Sequence, residues 1–250
     1  MFKSRILAIL GAVVFGLSLG TPAALAADPD FYAKVDYLSW KEFNTSGEEI
    51  MHEKGPIYTL GKKWQSSTDF GLTNTTKFEV FGGATTHYES AIVNTKNNYY
   101  GFKIDTEWSQ PSDGGIEPFA GLGWKRWTRS IDTTVYNSIY VVGYTENWSS
   151  VYSKAGIRQN TGTLFWEAGV KYPLLNNNRV DFSGVSHKPK NAPGLFAEIG
   201  INSNDCQFSL TYEYQKYNAS DADYSSVFGG YYYQPTSKEQ YIGFKAAFKL

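Results

Sequence analysis

Cysteine is almost absent: Cys206 is the single one in 250 residues, which excludes an intrachain disulfide framework and a multi-cysteine zinc site. Past residue 27 there is no apolar run approaching the ~18 residues of a helical membrane span; the stretch Ile139 to Gly143 is among the longest. An excess of one charge is also missing, with 23 Lys+Arg against 24 Asp+Glu. The chain therefore offers neither a basic field for nucleic acid nor an acidic tail. Aromatics and glycine abound instead: 7 Trp, 19 Tyr, 16 Phe and 24 Gly. With a mean hydropathy of −0.38, this excludes disorder and a helical membrane protein, and it suits an all-β chain.

The first 26 residues read as a cleaved signal peptide. Lys3 and Arg5 supply the charged start, Ile6 to Gly20 the apolar stretch, and Ala24-Leu25-Ala26 the small-residue cleavage site. Cleavage after Ala26 leaves residues 27–250 as one exported domain. No Cys follows the cleavage site, so a lipoprotein is not expected.

The mature sequence alternates. Tyr100, Phe102, Ile104, Thr106 and Trp108 share one strand face, and Gly101, Lys103, Asp105 and Glu107 the other. The same period runs through Leu164 to Tyr172, Leu195 to Ile201, Phe208 to Tyr214 and Ile242 to Leu250. Ten strands are expected near 30–43, 56–64, 73–88, 97–109, 115–129, 146–158, 162–173, 193–203, 205–217 and 236–250. Links at 111–115, 159–161 and 204 are short and that at 65–72 is intermediate, whereas those at 44–55, 89–96, 130–145, 174–192 and 218–235 are longer. An even set of strands with short turns on one rim and long loops on the other is expected of an up-and-down antiparallel transmembrane β-barrel.

Alternation alone also fits a soluble lipocalin-like barrel with its apolar face inside. Three features favour apolar-out. The mixed face carries charge beside bulky aromatics and Gly, as in Glu117, Phe119, Gly121, Gly123, Lys125, Trp127 and Arg129. Tyr100, Trp108, Trp124, Tyr172, Tyr212 and Tyr214 gather near strand ends on the apolar face, as interface girdles do. Ten residues rise ~33 Å, and a ~45° tilt projects that to ~23 Å, close to the ~25 Å apolar band.

A signal peptide, an even set of amphipathic strands and a last strand alternating through Ile242, Phe244, Phe248 and Leu250 resemble the small bacterial outer-membrane β-barrels of the porin-like superfamily. The resemblance implies a Gram-negative outer-membrane location, surrounding lipid and the barrel-assembly machinery as partners, a monomer and no cofactor. In that family the last strand usually ends in an aromatic residue read by the assembly machinery; here Leu250 takes that place.

The inward face carries Lys34, Lys77, Lys103, Lys125, Arg129, Lys154, Arg158, Lys171 and Lys245, against Asp36, Glu79, Asp105, Glu107, Glu117, Glu167, Glu198 and Glu213. Nearly matched signs suggest a network of ion pairs, with Phe81, Phe119, Phe165 and Phe196 filling space, whereas a selective pore needs one sign in excess. A structural or surface-interaction barrel is therefore expected, with a narrow passive pore as the alternative. Loop tyrosines Tyr136, Tyr140, Tyr144, Tyr224 and Tyr231 to Tyr233 could meet a surface ligand. An omptin-like protease or a lipid-modifying enzyme is the third class. His87 with Glu89, His187, and Asp221 with Asp223 are its candidates, but the paired-Asp and Asp-x-His motifs of omptins are not at the matching rim positions. Ser186 and His187 are sequence neighbours, poorly placed as nucleophile and base. Met51, His52 and Glu53 could bind a metal only with ligands from elsewhere. No catalytic, cofactor or metal site is expected.

Overall fold

Outward apolar side chains and inward polar ones curl the chain into a closed ten-stranded antiparallel barrel. The computed structural model describes residues 30–88, 95–112, 115–136, 139–203, 205–227 and 229–249. The signal-peptide reading, Glu89 and Leu250 lie outside the described residues. The strands are β1 (Phe31–Phe43), β2 (Glu49–Ser67), β3 (Thr73–Tyr88), β4 (Lys96–Ser109), β5 (Glu117–Ile131), β6 (Tyr144–Asn160), β7 (Leu164–Val180), β8 (Gly194–Ser203), β9 (Cys206–Tyr217) and β10 (Thr236–Phe248). Each pairs with its sequence neighbours, and β1 closes the barrel by pairing with β10 from Phe31↔Phe248 to Phe43↔Thr236.

Face assignment follows the alternation. Val35, Tyr37, Leu210, Ile242 and Phe244 are exposed on the outer surface, whereas Asp36, Leu38, Trp40, Ser209 and Tyr241 are buried inside. Outward Phe248 of the closing strand is also exposed. An outer wall of exposed aliphatic and aromatic side chains suits hydrocarbon, and backbone pairing that closes on itself leaves no edge to satisfy within it.

Two strands run further than the hydrophobic alternation indicated. β2 begins at Glu49, not near residue 56, so the expected long loop at 44–55 is a tight turn, Asn44–Glu48, with Gly47 at a φ of 84°. Towards the loop rim polar residues stand on both faces of β2, Glu53 inside and His52 and Lys54 outside, so periodicity gives no signal there. β7 continues to Val180 past Pro173, through a register irregularity opposite Val151/Tyr152. The upper part of β7 pairs with the returning loop, Ser186↔Arg179 and His187↔Asn178. Loop hairpins at Thr134–Tyr136/Ile139–Val141 and Asp223–Ser225/Gly230–Tyr232 complete that rim.

Inward phenylalanines lie over glycines. A Cβ at Gly101 or Gly156 would stand 2.8 Å from the Phe81 or Phe119 ring, and one at Gly200 or Gly169 would stand 2.6 or 2.5 Å from Phe165 or Phe196. The glycines thus make room for the rings that fill the barrel. Gly169→Ala is expected to destabilise by about 1–3 kcal/mol through overpacking, seen as a lower urea midpoint in lipid vesicles. An unchanged midpoint would contradict this close approach.

Candidate functional site

The lumen has two levels. Next to the terminal rim, where the chain enters and leaves, charges of opposite sign interleave. Lys34 meets Asp36 at 3.0 Å, and Lys103 meets Glu79 at 3.0 Å and Glu213 at 3.5 Å; Lys171 also reaches Glu213. Glu107 gathers Lys154 at 2.6 Å, Arg158 at 3.2 Å and Lys77 at 3.4 Å, and Arg158 reaches on to Glu117 at 2.9 Å. Lys77 lies 3.7 Å from Glu167, and Lys245 pairs with Glu198. The Tyr152 hydroxyl donates to Asp105 at 2.6 Å. These ion pairs gather in separate clusters around Asp36, Glu213, Glu107 and Glu198.

A cavity of about 100 Å³ lies among these groups, lined by Lys34, Glu79, Lys103, Lys171 and Glu213 among others. Towards the loops it narrows to a space of about 20 Å³. At ~30 Å³ per molecule in the liquid, the larger space suits a few waters.

Above it the barrel is plugged. Lys125 donates to Glu239 at 2.7 Å, and the Tyr241 and Tyr217 hydroxyls donate to the same carboxylate at 2.7 and 3.2 Å. Next come Trp40, Trp127, Trp148 and Tyr217: Trp127 stacks on Trp148 at 5.3 Å, and Trp40 meets Trp148 edge-on at 5.3 Å. Arg129, with 0% exposure, sits among three carboxylates. Its Nε donates to Glu53 at 3.0 Å, and one terminal nitrogen donates to Glu146 at 2.9 Å and Glu42 at 3.3 Å. Trp40 and Trp148 donate their indole N–H to Glu42 and Glu146, each at 2.9 Å, and Tyr99 donates to Glu53 at 2.7 Å. Each carboxylate therefore accepts from Arg129 and from an aromatic donor, so all three are hydrogen-bonded although a single cation serves them.

This upper level corrects the expected charge balance. Glu42, Glu53, Glu146 and Glu239 also point inward, adding four carboxylates to the eight read from the sequence, while Lys63 adds one cation to the nine. Strand ends drawn too low hid Glu53, and Glu42 and Glu146 stand close to the ends of their strands. Glu239 lies inside β10 and follows from parity alone.

The catalytic and metal candidates separate. Met51 and Glu53 turn inward to Arg129, whereas His52 faces outward and meets Ser39 at 2.9 Å. The side chain of His87 lies outside the described residues. His187 is buried beneath the loops, with Nδ1 3.5 Å from Asp223, and Asp221 pairs with Lys190 at 2.6 Å. A cleft of about 290 Å³ between residues 183–186 and 223–227 is lined by Asp223 and Tyr224 but not by His187. Cys206 is a free, half-buried thiol. Among the loop tyrosines, Tyr144 packs on Phe182 at 5.0 Å, whereas Tyr224 and Tyr231 stack edge-on at 5.4 Å and stay exposed. The side chains of Tyr136 and Tyr140 lie outside the described residues.

Burial pushes the His187 imidazole below its ordinary value, and Asp223 opposes the shift only in part. Undocked, the ring takes up a proton near pH 6.5; docked, it resists. Its contribution to loop docking is therefore full above about pH 6.5 and declines as the pH falls below that. Amide exchange in residues 181–193, corrected for intrinsic rates, should quicken between pH 7.5 and 5, and His187→Gln should flatten the difference. Equal pH dependence in both would contradict this.

No family model matches the chain, and neither does a curated protein sequence. Solved structures similar to it are outer-membrane barrels. The outer-membrane protease OmpT from Escherichia coli is 8% identical, with 90% of this chain and 99% of that one covered, at a TM-score of 0.46. The translocator domain of the autotransporter NalP from Neisseria meningitidis is 13% identical over 99% and 96%, also at 0.46. An outer-membrane channel from Pseudomonas putida F1 is 10% identical over 92% and 99%, again at 0.46.

Proposed function

We propose that the chain is a closed, non-catalytic barrel of the bacterial outer membrane that acts through its extracellular loops. The observation that carries this reading is the layer of Trp40, Trp127, Trp148 and Tyr217 around Arg129 and its three carboxylates. A side-chain layer of that kind, at interior packing density, leaves no room for a hydrated solute. The short turns face the periplasm and the loops face outward, presenting the exposed Tyr224 and Tyr231 beside the 183–186/223–227 cleft. A buried imidazole that does not line that cleft is not placed to activate water in it. Outward-facing apolar side chains on every side support lipid as what surrounds the barrel.

Two measurements test this reading. Refolded protein should migrate with heat-modifiable mobility, since a closed barrel resists detergent until boiled. Vesicles carrying it should not swell in an isotonic sugar solution. Swelling above that of empty vesicles would establish the passive-pore reading instead.

A further inference from the structure

Above the apolar wall, four neighbouring strands carry basic side chains opposite one another. Lys216 on β9 pairs with Lys238 on β10, Lys238 pairs with Lys41 on β1, and Lys41 pairs with His52 on β2. All four share the outward face, and Lys54 stands two residues from His52 on the same face of β2. Directly opposed side chains are only ~5 Å apart at Cβ, so like charges there are destabilising. One carboxylate answers them: Glu49 lies 2.7 Å from Lys41 and 3.3 Å from His52. Lys238 lies over the Phe43 ring at 4.4 Å. Among the described residues, Lys54, Lys216 and Lys238 have no ion-pair partner.

The height of this row matters. On the same outward faces, Tyr214 precedes Lys216 by two residues, Tyr37 precedes Lys41 by four, and Tyr58 follows Lys54 by four. Exposed Tyr37 and Tyr58 mark where apolar wall gives way to interface. Two to four residues beyond, at ~3.3 Å each along the strand, is the depth of lipid headgroups on the loop side. A row of surplus cations at that depth is a poor arrangement in water and a complementary one against phosphate.

We infer that Lys41, Lys54, Lys216 and Lys238 form a docking site for the phosphorylated headgroup of a lipid in the outer leaflet, its acyl chains lying against the apolar wall of β9, β10, β1 and β2. The site rests on the reading of the outer wall as lipid-facing and adds a lipid preference to it.

The probe is a fluorescent diphosphorylated lipid A, added to the refolded mature protein in zwitterionic micelles at low salt. It should bind and be displaced by unlabelled lipid A, but not by inorganic phosphate at equal phosphate concentration. Lys216→Gln with Lys238→Gln should weaken binding at least tenfold, whereas Lys190→Gln, which removes a loop lysine paired with Asp221, should leave it unchanged. Binding should also weaken as salt is raised. Equal binding by the double variant, equal binding of a zwitterionic lipid with matching chains, or displacement by inorganic phosphate would each overturn the site. If the double variant does not refold, Lys54→Gln with Lys238→Gln gives the same readings. Heat-modifiable mobility in every sample keeps the lipid-facing reading separate: a folded barrel without lipid A preference defeats the headgroup site alone.

Discussion

Arg129→Leu is expected to lower the stability of the folded barrel by about 3–5 kcal/mol, because removing one partner of a buried ion cluster leaves the other charges uncompensated. Glu42, Glu53 and Glu146 would then share a water-poor layer with no cation between them, left with neutral donors such as the indole N–H groups of Trp40 and Trp148 and the Tyr99 hydroxyl. Urea unfolding in lipid vesicles measures the loss. Arg129→Lys should fall between wild type and the leucine variant, since an ammonium retains the charge but not the planar fork that spans several carboxylates. A leucine variant within ~1 kcal/mol of wild type would mean that the cluster is not the closed, water-poor layer described.

The second large effect lies on the opposite face. Phe244 is exposed on the outer wall and pairs with Val35 on β1 and Leu210 on β9, both also exposed. Arginine there is placed in the middle of the apolar band, at a cost of about 2–4 kcal/mol. Phe248→Arg, at the terminal rim where β10 pairs with Phe31 and Cys206, should cost only ~0–1 kcal/mol. Depth dependence of this kind is specific to a bilayer. Equal costs at both positions would argue against a lipid-facing wall.

Sequence reading succeeded wherever one strand face met hydrocarbon. From Phe208 to Tyr214 apolar and polar residues alternate strictly, and from Phe31 to Tyr37 more weakly, so face, register parity and strand existence could be read together. It failed where strands rise beyond the membrane. There β2 from Met51 to Lys54 and β7 from Asn176 to Val180 are polar on the outside as well, and the period vanishes although the backbone pairing continues. A filled lumen was expected, but not which residues would meet in its upper level. Arg129 was legible as an inward cation, and Trp127 as its neighbour in parity. Their partners come from β1, β2, β6 and β9, and no pattern within one strand announces which distant residues will meet across a lumen. The basic row outside is a further case. Lys41, Lys216 and Lys238 look like scattered surface charges until strand register places them opposite one another.

The central claim is that this lumen is shut by side chains at the level of Arg129, and single-channel recording tests it most directly. The refolded mature protein in a planar bilayer should give no stable openings above the bare membrane, and trimming the 132–143 and 218–235 loops should change nothing, because the plug lies on the strands. A steady, repeatable conductance from the intact protein would contradict the account and make the barrel a pore.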